Sequence, residues 1–171
     1  MFIASRRRVV IYYNGDVVIH RDIEELASSA TDIVWVEVLG SRVRRISTTL
    51  PPSRRNREIH TVHRLRVIEV FKGSEEVGAT IEVMQLGRTA RHNPVNYSLM
   101  DFNTGEELIL FMTSFNDGLP AVLLTEHQAV YRVVISVDDS VEVENYSKWN
   151  NLMLTMEDLE RIADGYFGSY P

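Results

Sequence analysis

Hydrophobic and polar positions near the N-terminus follow the pattern of a β-hairpin and a short helix. Two apolar runs, residues 9–13 and 17–20, flank Asn14-Gly15, a dipeptide that accepts positive φ at both central positions of a tight turn. Asp22 and Glu25 have the spacing of a capping box, and apolar residues follow them at helical intervals. We therefore predict a hairpin over residues 9–20 and a helix directly after it.

Five strand-like segments fill the centre of the chain. They span residues 33–47, 60–71, 80–86, 107–113 and 121–137, and the last has a break near His127-Gln128. In the second segment the apolar face changes from Leu65 and Val67 to Ile68 and Val70, which indicates a bulge or a sharp bend. Small closed barrels need such bends. The pattern therefore predicts a mainly β fold with barrel-like curvature.

The last part of the chain predicts one more strand and a second helix. Valine and glutamate alternate over residues 141–144 after a turn at 138–140. Thr155 and Asp158 have capping-box spacing, and Gly165 is placed as a helix stop. We divide the single domain 1–171 into a hairpin and helix (1–30), a barrel (31–137), and a C-terminal strand and helix extension (138–171).

The large apolar residues of the central strands are the predicted core. Phe71 and Tyr131 belong to it, whereas Trp149 and Tyr166-Phe167 either cap one end of the barrel or stay exposed for a partner, and capping is the more common outcome. The remaining predicted core residues are Val34, Trp35, Val36, Leu65, Val67, Ile81, Val83, Leu108, Leu110, Phe111 and Val130.

The order of these segments is similar to a known family. The similar segments are ATDIVWVEV at 30–38, VIEVFKG at 67–73, GATIEV at 78–83 and GEELILF at 105–111. Together they look like bacterial relatives of the OB-fold domain that netrin C-terminal modules share with tissue inhibitors of metalloproteinases. The resemblance covers about residues 23–135 and implies a five-stranded, partly open OB-like barrel, here with an added N-terminal β-hairpin and two short helices. No inhibitory residue carries over, because those inhibitors use an N-terminal cysteine and this chain has no cysteine.

Composition and motifs narrow the functional classes. The absence of cysteine excludes thiol catalysis, thiolate metal sites and a disulfide scaffold. No nucleophile elbow, phosphate-cradling glycine loop or zinc-protease helix occurs, and His60 and His63 would point to opposite faces of a strand. We therefore predict a non-enzymatic binding module without a metal or cofactor. A hydrolase without a recognisable motif stays an open alternative.

The sequence predicts no membrane insertion and leaves the localisation open. No run approaches the roughly 20 apolar residues that a spanning helix needs. Residues 1–8 contain three arginines where an export signal would have its apolar run. The family resemblance nevertheless suggests an extracytoplasmic protein.

Charge is divided unevenly along the chain. Residues 1–100 contain 15 basic and 11 acidic side chains, and residues 101–171 contain 3 and 13. We name Arg42, Arg44, Arg64 and Arg66 the arginine face. If its two strands paired with 42 opposite 66 and 44 opposite 64, like charges would oppose each other, which destabilises a sheet. The candidate ligand-binding residues are Arg42, Arg44, Arg45, Arg54, Arg55, Arg57, Arg64 and Arg66.

An anionic group should therefore cover the arginine face. Glu142 and Glu144 from the acidic half are the internal candidates, and internal pairing is the preferred interpretation. A polyanion or single-stranded nucleic acid is the external candidate, since OB-folds bind oligonucleotides and oligosaccharides. Residues 36–70 contain no Phe, Tyr or Trp on which bases could stack, which disfavours nucleic acid as the ligand. A protein partner is a further alternative.

Overall fold

Seven strands and two helices make up the computed structural model, which describes residues 19–46, 58–87, 100–116 and 118–165. The mainly β class is confirmed, and so are the five central segments, the break within the last of them and both helices. The predicted hairpin turn at Asn14-Gly15 lies outside the described residues. The elements are α1 (Ile23–Ser29), β1 (Asp32–Ile46), β2 (Glu58–Lys72), β3 (Thr80–Leu86), β4 (Glu107–Thr113), β5 (Ala121–Leu123), β6 (Val130–Ile135), β7 (Val141–Asn145) and α2 (Met156–Ala163).

Both helices begin at the residues that their capping patterns predict. The Asp22 carboxylate accepts a hydrogen bond from the backbone N–H of Glu25 at 2.8 Å. At α2, the Thr155 hydroxyl accepts from the Asp158 backbone, and the Asp158 carboxylate accepts from the Thr155 backbone. These bonds satisfy N–H groups that the first helical turn leaves without intrahelical partners. Gly165 follows α2 with a φ of 77°, which favours glycine.

Five strands form a partly closed ring. The order is β1-β2-β3-β5-β4, and β4 also pairs with β1. Every pairing is antiparallel except the short parallel contact between β3 and β5. Beyond the ring, β6 pairs with β4 and β7 pairs with β6. None of the helices in the described ranges is long and apolar enough to cross a membrane.

Two main clusters of buried side chains stabilise this arrangement. One is enclosed by the ring and includes Val36, Leu65 and Leu110. The other lies between the outer side of the sheet and both helices and includes Phe111 and Tyr131. Of the predicted core residues, only Trp35 and Ile81 are half-buried, and the others are buried.

The prediction that Trp149 caps the barrel is wrong. Its side chain is 69% exposed, and the ammonium of Lys148 lies 5.0 Å from the centre of its ring. The segment around it is fastened through neighbouring polar groups instead, since Asn145 Nδ2 donates to the Asn150 carbonyl at 2.8 Å. Tyr166-Phe167 lie outside the described residues.

The phase change predicted within the second central segment is a β-bulge. Trp35 lies opposite Glu69, whereas the next residue, Val36, lies opposite Val67, so Ile68 has no partner on β1. An extra residue in one strand of a pair bends that strand and increases its twist. This bend helps β2 to pass around the ring.

A second bulge, at Leu39 in β1, was not predicted. Val38 lies opposite Leu65 and Gly40 lies opposite Arg64, so Leu39 has no partner on β2. Side chains alternate along a strand, and one extra residue reverses the alternation. Odd-numbered residues of β1 therefore face away from the ring interior before the bulge, and even-numbered residues do so after it.

Two of the segments quoted for the family resemblance, 30–38 and 67–73, meet at one corner of the sheet. The Asp32 carboxylate accepts hydrogen bonds from the Thr31 hydroxyl at 2.7 Å and from the Ser74 backbone at 3.2 Å. Lys72 Nζ donates to the Ala27 carbonyl near the end of α1 at 2.7 Å. Gly73 lies against the Asp32 side chain. These residues therefore join α1, β1 and the end of β2.

Candidate functional site

The pairing predicted for the arginine face is wrong by four residues. No arginine of the face lies directly opposite another, because the bulge at Leu39 and the register of the two strands displace the pairs. The expected repulsion between directly opposed like charges is therefore absent. The observed pairs are Arg42 with Val62, Arg44 with His60, Gly40 with Arg64, and Glu37 with Arg66.

One carboxylate on β3 holds two arginines of the face. Arg42 Nη2 donates to Glu82 Oε1 at 2.7 Å, and Arg44 Nη1 donates to Glu82 Oε2 at 2.7 Å. Because β2 lies between β1 and β3, both arginine side chains extend across β2 to reach this carboxylate. Arg64 on β2 stands directly opposite Glu82 in the β2–β3 register. Two arginines thus bind one carboxylate, and a third arginine lies on the neighbouring strand opposite it.

A second carboxylate pairs with the remaining arginine of the face. Arg66 donates to Glu37, its neighbour across the β1–β2 register. The side chains of Arg42, Arg44 and Arg66 stay 63%, 40% and 56% exposed. Exposed ion pairs of this kind contribute about 0–1 kcal/mol each. Water therefore reaches these pairs, and they can exchange partners at low cost.

The arginine face is paired internally, but with partners other than those expected. The expectation that Glu142 and Glu144 cover it is wrong, because both lie on β7 and Glu144 is opposite Arg132 of β6. Glu82 and Glu37 from the basic half take this role. The acidic half of the chain is therefore not the cover of the arginine face.

The four other candidate arginines do not join the face in the described structure. Arg45 is exposed and follows Arg44, so alternation along β1 directs it to the opposite side of the strand. Arg54, Arg55 and Arg57 lie outside the described residues. Neither Arg45 nor Arg64 forms an ion pair within the described ranges. Three of the four guanidinium groups of the face therefore share two carboxylates, those of Glu82 and Glu37, and Glu58 lies on the same side of β2.

A small apolar cluster lies beneath the side chains that cross β2. Ile46, Val62 and Met84 are its buried members. His60 is buried on the same side of β2 as Val62, and burial lowers its pKa. The His60 Nδ1 atom lies 3.2 Å from the Glu58 carbonyl, and its Nε2 atom has no hydrogen-bond partner in the described part of the chain. The floor of the face is therefore apolar and rigidly packed.

A cavity of about 230 Å³ adjoins the arginine face, and Glu82 lines it. Ser114 also lines this cavity, and its buried hydroxyl has no hydrogen-bond partner among the residues that the structure describes. Burial, together with the nearby Asp32 carboxylate, raises the pKa of Glu75 at the same cavity. Glu82 therefore belongs both to the arginine network and to a cavity that contains a free hydroxyl donor.

His63 lies inside the ring, away from His60. Its Nε2 atom accepts from Gln85 Nε2 at 2.8 Å, which leaves Nδ1 to donate to the Ser41 hydroxyl at 3.2 Å. Burial lowers the pKa of His63 to about 4, so the ring is neutral near pH 7. Its ring centre is 4.5 Å from that of Phe102. Within the described ranges, no three histidine or acidic side chains are grouped as a metal site.

One serine–histidine pair bears on the hydrolase alternative. Ser147 Oγ lies 3.4 Å from His127 Nδ1, but the same oxygen also accepts the backbone N–H of Trp149 at 3.2 Å. An activated nucleophile needs a close base that a third group orients. In the described part of the chain, no carboxylate bonds to His127. This geometry does not activate Ser147.

Glu82 is the member of the arginine network that the sequence interpretation missed. It alternates with Ile81 and Val83 in the third central segment, so its outward position could have been predicted. Its partners depend on the register between β1, β2 and β3, which local patterns do not define. Gly40 within a strand pattern was the available signal for the neighbouring bulge. No protein-family model matches the chain, and no curated protein matches it.

Proposed function

We propose that this chain is a non-enzymatic binding module built on an OB-like ring, and that its arginine face receives a linear polyanion. Two features support the OB-like interpretation: the strand order β1-β2-β3-β5-β4 with closure between β1 and β4, and the parallel contact of β3 with β5. OB-folds bind oligonucleotides and oligosaccharides on strands 2 and 3 and on the adjoining loops. The arginine face occupies β1 and β2 and reaches β3, which agrees with that mode.

The convergence of arginine side chains carries this proposal. Arg42 and Arg44 share one carboxylate, that of Glu82, and all four guanidinium groups of the face are exposed or half-exposed. Guanidinium groups bind sulfate and phosphate oxygens through paired N–H donors. The connection between β1 and β2 adds Arg54, Arg55 and Arg57 in sequence. A linear polyanion would therefore meet guanidinium groups on both of these strands.

The binding mode we propose uses charge rather than base stacking. Proteins that bind single-stranded nucleic acid usually offer aromatic side chains on which bases stack. The structure describes residues 40–46 of β1 and 58–64 of β2 on this side, and they include no Phe, Tyr or Trp. A ligand recognised by its closely spaced charged groups fits this surface best.

An exposed tryptophan favours a protein partner as a second candidate. Trp149 and Met153 are 69% and 82% exposed and lie four residues apart in the segment before α2. Tryptophan is enriched among the residues that dominate binding energy at protein interfaces. Trp149→Ala would abolish capture of such a partner without changing polyanion binding.

The polyanion proposal is tested by titrating the full chain with a fluorescent heparin oligosaccharide at about 50 and 200 mM salt. We expect binding at low salt and a steep loss at high salt. Arg64→Gln with Arg66→Gln should weaken binding roughly tenfold or more at low salt, because two contacts to anionic groups are lost. The charge-matched control is Arg21→Gln with Lys148→Gln, both exposed and outside the face. Equal losses in both variants, or no binding by the parent chain, would refute the proposal.

A further inference from the structure

We infer that the carboxylate of Glu82 occupies an oxyanion subsite of the arginine face, and that a sulfate group of an anionic polysaccharide replaces it when the ligand binds. This inference rests on the function proposed above. Arg42 and Arg44 each donate to a different oxygen of this carboxylate at 2.7 Å. Two guanidinium groups thus already converge on the position of one oxyanion.

The charge around Glu82 favours exchange for a ligand group. Arg42 and Arg44 both bond to the single charge of Glu82, and Arg64 stands opposite Glu82 in the β2–β3 register without an ion pair in the described ranges, so these four side chains carry a net positive charge. A sulfate ester offers three terminal oxygens, enough for a donor from each of the three arginines. The existing bonds are partly exposed to water, where ion pairs are weak. Replacing the Glu82 carboxylate by an external oxyanion therefore gains a third arginine contact and loses only weak bonds.

The adjoining cavity provides a second position for the displaced carboxylate. Glu82 and Ser114 line the same cavity of about 230 Å³. The Ser114 hydroxyl is buried without a hydrogen-bond partner there, an arrangement that costs free energy until an acceptor is supplied. A Glu82 side chain released by the arginines can accept from this hydroxyl. Glu82 then alternates between an arginine-bound position and a serine-bound position.

The chemistry of the face favours a sulfated polysaccharide over a nucleic acid. The ligand groups that Glu82 imitates are compact oxyanions held by guanidinium forks. Single-stranded nucleic acid gains much of its affinity from stacking on aromatic rings, and the described residues 40–46 and 58–64 of the two strands include no Phe, Tyr or Trp. The occupant to which we commit is therefore a heparin-like chain with closely spaced sulfate groups.

The decisive variant is Glu82→Gln, which keeps the size of the side chain and removes its charge. If Glu82 competes with the ligand, Glu82→Gln should bind a heparin decasaccharide about tenfold more tightly than the parent chain, because two ion pairs no longer have to be broken. The control is Glu160→Gln, which makes the same change in net charge at an exposed position of α2. We expect the control to change the affinity less than twofold. Calorimetry at fixed low salt measures all three proteins.

A second variant tests the alternative position of Glu82. Ser114→Ala removes the free hydroxyl and keeps the backbone N–H that donates to Thr31 Oγ1. We expect it to weaken heparin binding about threefold in the parent chain, and to have no effect in the Glu82→Gln background. An equal effect in both backgrounds would refute the serine-bound position.

The outcomes separate this inference from the function on which it rests. Equal gains for Glu82→Gln and Glu160→Gln would overturn the displacement of Glu82 and leave the polyanion site intact. No binding by any variant would overturn the proposed function together with the inference. Tighter binding of a single-stranded oligothymidylate than of heparin, with the same response to Glu82→Gln, would overturn the choice of polysaccharide.

Discussion

Gly73→Ala tests the corner at which the start of β1 meets the end of β2. Gly73 has a φ of 108°, a conformation that residues with a Cβ rarely adopt. A Cβ built there would lie 2.0 Å from Oδ1 and 2.7 Å from Cγ of Asp32. The Asp32 carboxylate would therefore have to turn away from the Thr31 hydroxyl and the Ser74 backbone, which now donate to it.

The size of the effect follows from these two contributions. Positive φ costs a residue with a Cβ about 1–2 kcal/mol, and losing one hydrogen bond to a charged group costs about 1.5–3 kcal/mol. We expect Gly73→Ala to lower the free energy of unfolding by about 3–5 kcal/mol. Gly78 is the matched control, because its φ is 85° and nothing lies within 4 Å of a Cβ built there. Gly78→Ala should cost only about 1–2 kcal/mol.

Urea unfolding at pH 7, followed by circular dichroism, measures both variants. If Gly73→Ala does not fold, the comparison is made in the Asp32→Ala background, where most of the overlap is absent and the cost of Gly73→Ala should fall. Only the Asp32 Cβ, at 3.0 Å, remains close there. Equal destabilisation by Gly73→Ala and Gly78→Ala in the parent chain would refute the close contact and leave only the backbone conformation as the reason for glycine.

Three further predictions concern other parts of the fold. Burial lowers the pKa of His63 to about 4, so the unfolded chain binds a proton at higher pH than the folded chain does, and the free energy of unfolding should decrease by about 2 kcal/mol between pH 8 and pH 5. In urea unfolding, His63→Gln should lose this part of the pH dependence. An unchanged dependence of the unfolding free energy on pH would contradict it. Phe111→Ala should lower the free energy of unfolding by about 3–5 kcal/mol in thermal unfolding, and Trp35→Ala should lower it clearly less. The reason is that Phe111 is fully buried, whereas Trp35 is only half-buried. A larger loss for Trp35→Ala than for Phe111→Ala would contradict the packing. Thr155→Ala should cost about 1 kcal/mol by removing the cap of α2, whereas a Ser variant at this position should keep most of the stability.

Local patterns were sufficient to predict the elements of this fold. The helix starts at Asp22 and Thr155 depend on bonds within four residues, and such bonds are visible in sequence spacing. The bulge at Ile68 was visible because the apolar alternation changes phase there. Strand content, both helices and most of the buried core could therefore be predicted.

The arrangement of charges could not be predicted in the same way. The register between β1 and β2 depends on the bulge at Leu39 and on the length of the connection between the strands, and one residue of displacement exchanges the two faces. The partner of Arg42 and Arg44 is Glu82, two strands away and about 40 residues later. Trp149 was misjudged because burial of a large aromatic residue is only a statistical tendency.

The fold explains why the uneven charge of the sequence is not cancelled by contact between its two halves. The arginines on β1 and β2 pair with Glu37 and Glu82 from the same half, while the acidic side chains of β7 lie on a strand that pairs with β6. The basic and acidic side chains therefore lie on different strands of the sheet. The polyanion that we propose would be attracted to the arginine face and repelled by β7, so it would approach in a preferred orientation. The same separation makes the interaction sensitive to salt, because the attraction between exposed charges is screened beyond about 10 Å at 0.1 M ionic strength.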